Sequence, residues 1–219
     1  ENRVLLVEDH VWHWQLEENL EEWQYEEWPV YEKGIPTASD LLNYDSVIWN
    51  SGNDADMTAG RESAIRTYLD NGGKLLLAGT NILDTASDSF IENYLRIKPD
   101  SVTLNSENSG HILKGIDGDP ISEGITNLRL FYTDGNGDTF TPTETAANVL
   151  ENVADNATRA VRFNFVSGGK IVFFADYLES MIDKKKDAAQ HYEVWGGNSS
   201  LSSYQLDNPQ YHDFVKLGE

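Results

Sequence analysis

The feature that most constrains the fold is an apolar run, Leu75-Leu76-Leu77-Ala78, in the first half of the chain. It follows a Gly72-Gly73 turn and ends at Gly79-Thr80-Asn81. A short run of this kind, without polar alternation, is typical of a strand that is buried on both faces in a parallel sheet. Because ligands of open α/β sheets bind beyond the carboxyl ends of the strands, we expect any functional site near Thr80.

Further strands are predicted at the apolar segments 3–7 and 45–49, and at residues 25–30. They alternate with helical patterns at residues 11–24, 37–43 and 58–70. Two of these helices begin at a potential capping residue, Thr37 or Thr58. Strands that alternate with helices at these lengths favour right-handed crossovers and a parallel, doubly wound sheet.

The second half of the chain has weaker patterns. They predict a helix at residues 87–95, short strands at 101–104 and 128–132, and a hairpin of residues 160–165 with 170–175. From residue 184 the chain is polar and aromatic without periodicity. We therefore expect one α/β domain at residues 1–183 and a C-terminal extension or linker at residues 184–219.

The composition limits the classes of function. The chain carries 37 acidic and 16 basic residues, and its net charge of -21 makes nucleic acid or an anionic membrane a poor partner. It has no cysteine, which excludes disulfides, thiolate metal sites and a cysteine nucleophile. No apolar run reaches the ~20 residues of a membrane span. Because the chain is acidic and begins at Glu1, we expect a piece of a larger secreted or cell-surface protein.

Three segments resemble the class I glutamine amidotransferase-like superfamily, in the divergent form found in secreted and cell-surface proteins. They are residues 42–49, 68–82 and 168–179. The resemblance implies a three-layer α/β sandwich, flavodoxin-like, with a central, mostly parallel sheet and an added β-hairpin in the second half.

Catalytic members of that superfamily carry a cysteine in the turn after the central strand, and a histidine and a glutamate after the late strand. Here the turn holds Thr80, and the late strand ends at Ala175-Asp176 without the histidine. A threonine hydroxyl needs a strong adjacent base to attack, and none is evident. The resemblance therefore implies a fold that has lost this chemistry.

The first strand also resembles that of two-component receiver domains, because the acids Glu8 and Asp9 follow it. In that comparison Asn50 stands where the phosphorylated aspartate is expected, and Thr80 and Lys98-Pro99 match the hydroxyl and lysine-proline positions. An asparagine amide cannot accept a phosphoryl group as a carboxylate does. This resemblance implies a degenerate, receiver-like protein-docking domain.

Polar residues follow the predicted strands and should meet at one edge of the sheet. The candidate ligand-binding residues are Glu8, Asp9, His10, Asn50, Ser51, Asn53, Asp54, Thr80 and Asn81. Their oxygens suit Ca²⁺, Mg²⁺ or a polar ligand such as a sugar. The same residue types also cap helices and close turns, which is the alternative interpretation. A metal-dependent hydrolase would need Asp9 and Asp54 within reach of one ion.

A polar loop at residues 134–138 predicts a calcium site. Its candidate ligands Asp134, Asn136 and Asp138 have the alternating spacing that begins an EF-hand-like loop. The pattern then departs, because Thr139 replaces the expected glycine and Glu144 stands one place before the usual bidentate acid. The alternative is a plain turn, for which Asp-Gly and Asn-Gly are common.

Together these observations predict a non-catalytic extracellular module that binds a ligand or serves as a scaffold. Its expected partners are other domains of the parent protein or a surface polymer, and Ca²⁺ is the cofactor that the residues favour. The alternatives are a metal-dependent hydrolase that uses the strand-tip carboxylates and the degenerate receiver-like docking domain.

Overall fold

The computed structural model describes residues 3–10, 24–53, 55–104, 112–130 and 137–176, together with Leu178. The first elements are β1 (Val4–Glu8), β2 (Tyr25–Pro29), α1 (Val30–Lys33), α2 (Ala38–Leu41), β3 (Ser46–Asn50), α3 (Ala59–Asp70), β4 (Lys74–Ala78), α4 (Ile82–Thr85) and α5 (Asp88–Phe90). A π-helix (Ile91–Leu95) and a 3-10 helix (Pro99–Ser101) follow. The later strands are β5 (Ile112–Gly115), β6 (Leu128–Arg129), β7 (Ala147–Asn152), β8 (Thr158–Asn164) and β9 (Lys170–Phe174).

The described strands form one sheet in the order β2-β1-β3-β4-β9-β8-β7-β5-β6. The pairings from β2 to β9 are parallel, and those from β9 to β6 are antiparallel. The protein thus has an α/β fold with a mixed sheet. The predicted three-layer, flavodoxin-like sandwich with a mostly parallel sheet is wrong.

The hairpin between β8 and β9 is the physical reason for this difference. The Phe165 N–H donates to the Gly169 carbonyl at 2.7 Å, and Gly168 has a φ of 91°, so the chain reverses tightly. The predicted hairpin is present. It joins the parallel half of the sheet to the antiparallel half, whereas the prediction places it as an addition to a mostly parallel sheet. From β8 onward the strands add by antiparallel pairing, which needs no crossover helix.

Alternate side chains of the parallel strands enter two apolar cores on opposite faces of the sheet. Leu75 and Leu77 of β4 belong to the larger core, where α3 packs, and Leu76 is partly buried against the smaller one. Apolar residues of β1, β3 and β9 divide in the same way. The prediction that β4 is a central strand covered on both faces is therefore confirmed.

The helix starts follow the predicted caps in part. At α2 the Asp40 N–H donates to Thr37 Oγ1 at 3.3 Å, and the Asp40 carboxylate accepts from the Thr37 N–H at 2.8 Å, a complete capping box. Helix α3 also begins directly after Thr58, but that side chain caps no N–H group. Its hydroxyl instead lies 3.4 Å from a guanidinium nitrogen of Arg61.

Several predictions for the second half are wrong or incomplete. Residues 101–104 do not form a strand, because Pro99 begins a 3-10 helix and Thr103 makes only an isolated bridge to Thr139. Of the strand predicted at residues 128–132, the described part contains the two residues of β6. Strands β5 and β7 are not predicted at all.

Residues 11–23 of the predicted first helix and residues 184–219 of the predicted extension lie outside the described residues. Within the described residues, no helix has the length and apolar character that crossing a membrane requires.

Candidate functional site

The strand register aligns the carboxyl ends of the parallel strands. Glu8 of β1 lies beside Asn50 of β3, Asn50 beside Ala78 of β4, and Ala78 beside Phe174 of β9. The polar residues that follow these strands therefore meet at one edge of the sheet. Those buried there include Glu8, Asp9, His10, Asn50, Ser51, Thr80 and Asp176.

Glu8, His10 and Asn50 form a compact polar cluster at this edge. The Asn50 amide nitrogen lies 2.8 Å from His10 Nε2 and donates to the Glu8 carboxylate at 3.3 Å, while Glu8 Oε2 and His10 Nε2 are 3.5 Å apart. The His10 ring packs on Gly52, where an added Cβ would come within 2.5 Å of the ring. These contacts hold three of the predicted site residues in one arrangement.

Asp9 is held by Arg61 and Trp49. Arg61 Nε and Nη2 donate to the two Asp9 oxygens at 2.5 and 2.6 Å, a bidentate pair, and Trp49 Nε1 donates to Oδ2 at 3.0 Å. The Asp9 side chain is 1% exposed and that of Arg61 is 15% exposed. The hydrogen bond to Asp9 raises the pKa of the Arg61 guanidinium, burial opposes this, and the charges of Asp9 and Asp56 reinforce it. With three hydrogen bonds to its carboxylate, Asp9 serves to orient Arg61.

Arg61 is a candidate site residue that the sequence analysis did not identify. It lies in the first turn of α3, where the positive end of the helix dipole disfavours a cation. An arginine at that position in an acidic chain indicates a carboxylate partner from another element. That signal would have pointed to one of the strand-tip acids.

The turn after β4 does not have the geometry of a nucleophile. The Thr80 N–H donates to the Gly52 carbonyl at 3.0 Å. Among the described residues, no hydrogen bond joins the Thr80 hydroxyl to a base. A nucleophile in a strand-to-helix turn has a strained backbone conformation. Thr80 does not, because the non-glycine residues with positive φ in the described ranges are Arg96 and Asn156.

The remaining predicted residues that the structure describes serve local structure or lie at the surface. The Ser51 N–H donates to the Ala78 carbonyl at 2.8 Å, and its buried hydroxyl has no partner among the described residues. The Asn81 side chain donates to Asp56 Oδ1 at 2.8 Å. Asn53 is exposed, and Asp54 lies outside the described residues.

A cavity of about 370 Å³ opens beside Arg61. It is lined by Asp9, His10, Val30, Tyr31, Ala55, Asp56, Thr58 and Arg61. Of the predicted site residues within the described ranges, Asp9 and His10 line this cavity. The Tyr31 side chain, which is 64% exposed, stands at its wall. The lining thus presents a guanidinium, two carboxylates, an imidazole and an aromatic ring. Groups of these kinds around one small cavity suit a small polar ligand.

Asp138, the described member of the predicted calcium loop, lies in a second buried cluster. Arg159 and Asp176 form an ion pair in which both side chains are 1% exposed, and an added Cβ at Gly137 would overlap both groups. Burial lowers the pKa of the Arg159 guanidinium, while the charges of Asp176 and Asp138 oppose that shift. Asp134 and Asn136 lie outside the described residues, so the calcium site stays a prediction.

The described residues contain no group of three His, Asp or Glu side chains that could hold a metal ion. In the Asp117-Gly118-Asp119 turn, an acid binds groups of the protein itself. Asp119 accepts from Arg162 Nε at 2.6 Å and from the Ile121 N–H at 2.9 Å. Burial by itself raises the pKa of Asp119, but these hydrogen bonds, the charge of Arg162 and a further hydrogen bond from the Ser122 N–H together lower it below the usual value.

No protein-family profile matches the chain, and no curated protein matches its sequence. Several solved structures, however, are similar to the chain in fold. The chain is similar to the mmIFT52 N-terminal domain, with a TM-score of 0.57 and 18% identity, over 91% of this chain and 100% of that chain. It is also similar to a cytoplasmic protein from Salmonella typhimurium, with a TM-score of 0.53 and 12% identity, over 99% of this chain and 96% of that chain.

A third similar structure is a ThuA-like protein from Bacteroides uniformis, with a TM-score of 0.53 and 10% identity, over 84% of this chain and 85% of that chain. At such identities the likeness shows the fold alone, and that fold is α/β. No family match supports the membership of the amidotransferase-like superfamily that the sequence predicts.

Proposed function

We propose that this chain is a non-catalytic binding module of a larger secreted or cell-surface protein, and that its ligand site is the cavity beside Arg61. The observation that carries the proposal is the bidentate Asp9–Arg61 pair in the cavity wall. The pair lies beyond the carboxyl ends of parallel strands, where α/β proteins bind their ligands. Other domains of the parent protein or a surface polymer are the expected partners.

The residues favour binding over catalysis. Thr80 stands where the resemblance to the amidotransferase-like superfamily places a cysteine, and a threonine without a base is a poor nucleophile. That superfamily relationship is part of the proposal, supported by the matching segments at residues 42–49, 68–82 and 168–179. The metal-dependent hydrolase is not favoured, because Arg61 and Trp49 already take the Asp9 oxygens that would bind the ion.

The test measures retention of the purified chain on immobilised cell-surface polysaccharide, together with turnover of glutamine, ester and glycoside substrates. We expect retention and no turnover. Tyr31→Ala should weaken retention, since Tyr31 lines the cavity and is 64% exposed. Val166→Ala is the matched control, because Val166 is another large exposed side chain but lies in the β8–β9 turn, outside the cavity lining. The proposal would be overturned if the chain turns over a substrate and Thr80→Ala abolishes that turnover. It would also be overturned if Tyr31→Ala leaves retention on the polysaccharide unchanged.

The calcium site at Asp134, Asn136 and Asp138 is a separate part of the proposal. Added Ca²⁺ should raise the melting temperature by mass action, and EDTA should reverse the rise. Asp134→Ala with Asn136→Ala is the informative variant, because a change at Asp138 would also disturb Arg159. A melting temperature that Ca²⁺ does not change would eliminate this site.

A further inference from the structure

The outer edge of the Arg61 guanidinium is the best-defined hydrogen-bonding feature of the cavity. An arginine has five N–H donors. Asp9 accepts two of them, and Thr58 Oγ1 lies 3.4 Å from Nη1 and accepts at most one. One N–H on each terminal nitrogen therefore has no acceptor among the described residues. Since Asp9 occupies the Nε side, the remaining Nη2 N–H points away from Asp9.

This edge is held rigidly before any ligand arrives. Asp9 is fixed by Trp49 Nε1 at 3.0 Å, and its backbone N–H donates to the Asn50 carbonyl at 2.9 Å. The guanidinium is in turn fixed by two short bonds to Asp9. A donor group that is already oriented loses little conformational entropy when a ligand binds. Arg61 is thus preorganised to donate to two neighbouring acceptor atoms.

The charges around Arg61 determine which acceptors fit. The Asp9 carboxylate already compensates the guanidinium charge. Asp56 lines the same cavity, with Oδ1 accepting from Asn81 and no hydrogen bond to Oδ2 from the described residues. An anionic ligand would therefore meet two carboxylates and one guanidinium, in a chain whose net charge is -21. Hydroxyl groups carry no charge and both accept and donate, so they match Arg61 and Asp56 together.

We propose that the cavity binds a neutral vicinal diol, as on one sugar unit of a polymer, with Arg61 donating to the diol oxygens and Asp56 accepting from a hydroxyl. The exposed Tyr31 ring offers an apolar face for the C–H side of the sugar ring. The volume of about 370 Å³ falls in the range of small-ligand pockets. This inference rests on the proposed binding function and names its ligand class.

The experiment compares two matched sets of probes by isothermal calorimetry and NMR titration at about pH 7. One set contains the neutral sugars glucose, galactose and mannose, and the other contains the corresponding uronic acids. We expect at least one neutral sugar to bind, and its uronic acid to bind at least about tenfold more weakly, because a like charge nearby disfavours the anion. Asp56→Asn should narrow the difference in affinity between each neutral sugar and its uronic acid, since it removes one carboxylate from the exposed wall and keeps a side-chain oxygen that can accept from Asn81.

Arg61→Lys should weaken binding of the neutral sugar at least about tenfold, because lysine keeps the charge but loses the two-pronged donor. Arg162→Lys is the matched control: Arg162 also binds an aspartate through Nε, but at Asp119, and it does not line the cavity. The melting temperature of each variant shows whether it is folded. If Arg61→Lys does not fold, the affinities of Asp56→Asn for each neutral sugar and its uronic acid still test the diol inference.

The outcomes separate the two proposals. Uronic acids that bind as tightly as the neutral sugars would overturn the diol inference and leave the binding function standing. So would the absence of sugar binding in a chain whose retention on polysaccharide still depends on Tyr31. If the chain binds neither the sugars nor the polysaccharide, both proposals are overturned.

Discussion

Replacing Arg159 with methionine should destabilise the protein strongly. The Arg159 and Asp176 side chains form a salt bridge and are each 1% exposed, and the fully buried Asp138 lies close enough to interact with the same guanidinium. Methionine fills a similar space, but it leaves the charges of two buried acids without this cation. Removing one partner of a buried pair costs about 3–5 kcal/mol. Because two acids are affected here, we expect a loss at the upper end of that range.

The size of the loss should depend on which partner is removed. Asp176→Asn should cost less than Arg159→Met, about 2–3 kcal/mol, because Arg159 keeps the neighbouring charge of Asp138. Arg162→Met is the matched control on the same strand. The Arg162 side chain is 29% exposed, and its partner Asp119 keeps two backbone N–H donors. We expect that change to cost about 1 kcal/mol or less.

The assay is equilibrium unfolding in urea, followed by tryptophan fluorescence and linear extrapolation to water. A typical domain is stable by about 5–15 kcal/mol, so Arg159→Met should move the midpoint visibly or leave the chain unfolded. The reasoning is refuted if Arg159→Met stays within about 1 kcal/mol of the unaltered protein. It is also refuted if Arg162→Met costs as much as Arg159→Met.

Further predictions concern a turn, a helix and a titrating acid. Gly52→Ala should lower the unfolding free energy by about 2 kcal/mol, because φ is 59° and the Cβ would meet the His10 ring at 2.5 Å. Gly60→Ala should raise it by about 0.5 kcal/mol, because an added Cβ at this helical position would make only ordinary van der Waals contacts, the nearest with Ile35 at 3.7 Å. The lowered pKa of Asp119 stabilises the fold above the unfolded-state pKa of about 4, and this contribution is lost as the pH falls. The destabilisation by Asp119→Asn, measured in urea, should therefore shrink between about pH 6 and about pH 3.

The first half of the fold could be read from the sequence because its signals are local. Strands β1, β3 and β4 are continuous apolar runs, and a capping box at Thr37 starts α2. Each of these signals lies within a few residues of the element that it specifies. The convergence of polar residues at the carboxyl edge then follows from parallel pairing alone.

The second half could not be predicted in the same way, because its strands depend on their neighbours. Strand β7 mixes Asn, Glu and apolar residues, pairs with β8 through irregular register, and has no strong period of its own. The resemblance to a mostly parallel fold also concealed the chain reversal at Gly168, which makes β8 antiparallel to β9. Tertiary pairing, rather than local propensity, decides such segments.

The candidate site likewise contains residues that local sequence signals identify and residues that only the folded chain brings together. Sequence spacing identifies Glu8, His10 and Asn50 as neighbours, because they follow adjacent strands. It does not identify Arg61, which comes from a helix 52 residues after Asp9 and reaches it only in the folded chain. Nor does it identify Tyr31, whose role in the cavity wall depends on where α1 packs.

An NMR titration with a neutral sugar that binds, observing the side-chain N–H signals, tests this account most directly. The Arg61 Nε–H and Trp49 Nε1–H both bond Asp9, so both signals should shift as the cavity fills, while backbone signals around Val166 in the distant turn should not. Shifts confined to other parts of the chain, with the Arg61 and Trp49 signals unchanged, would contradict the assignment of this cavity as the binding site.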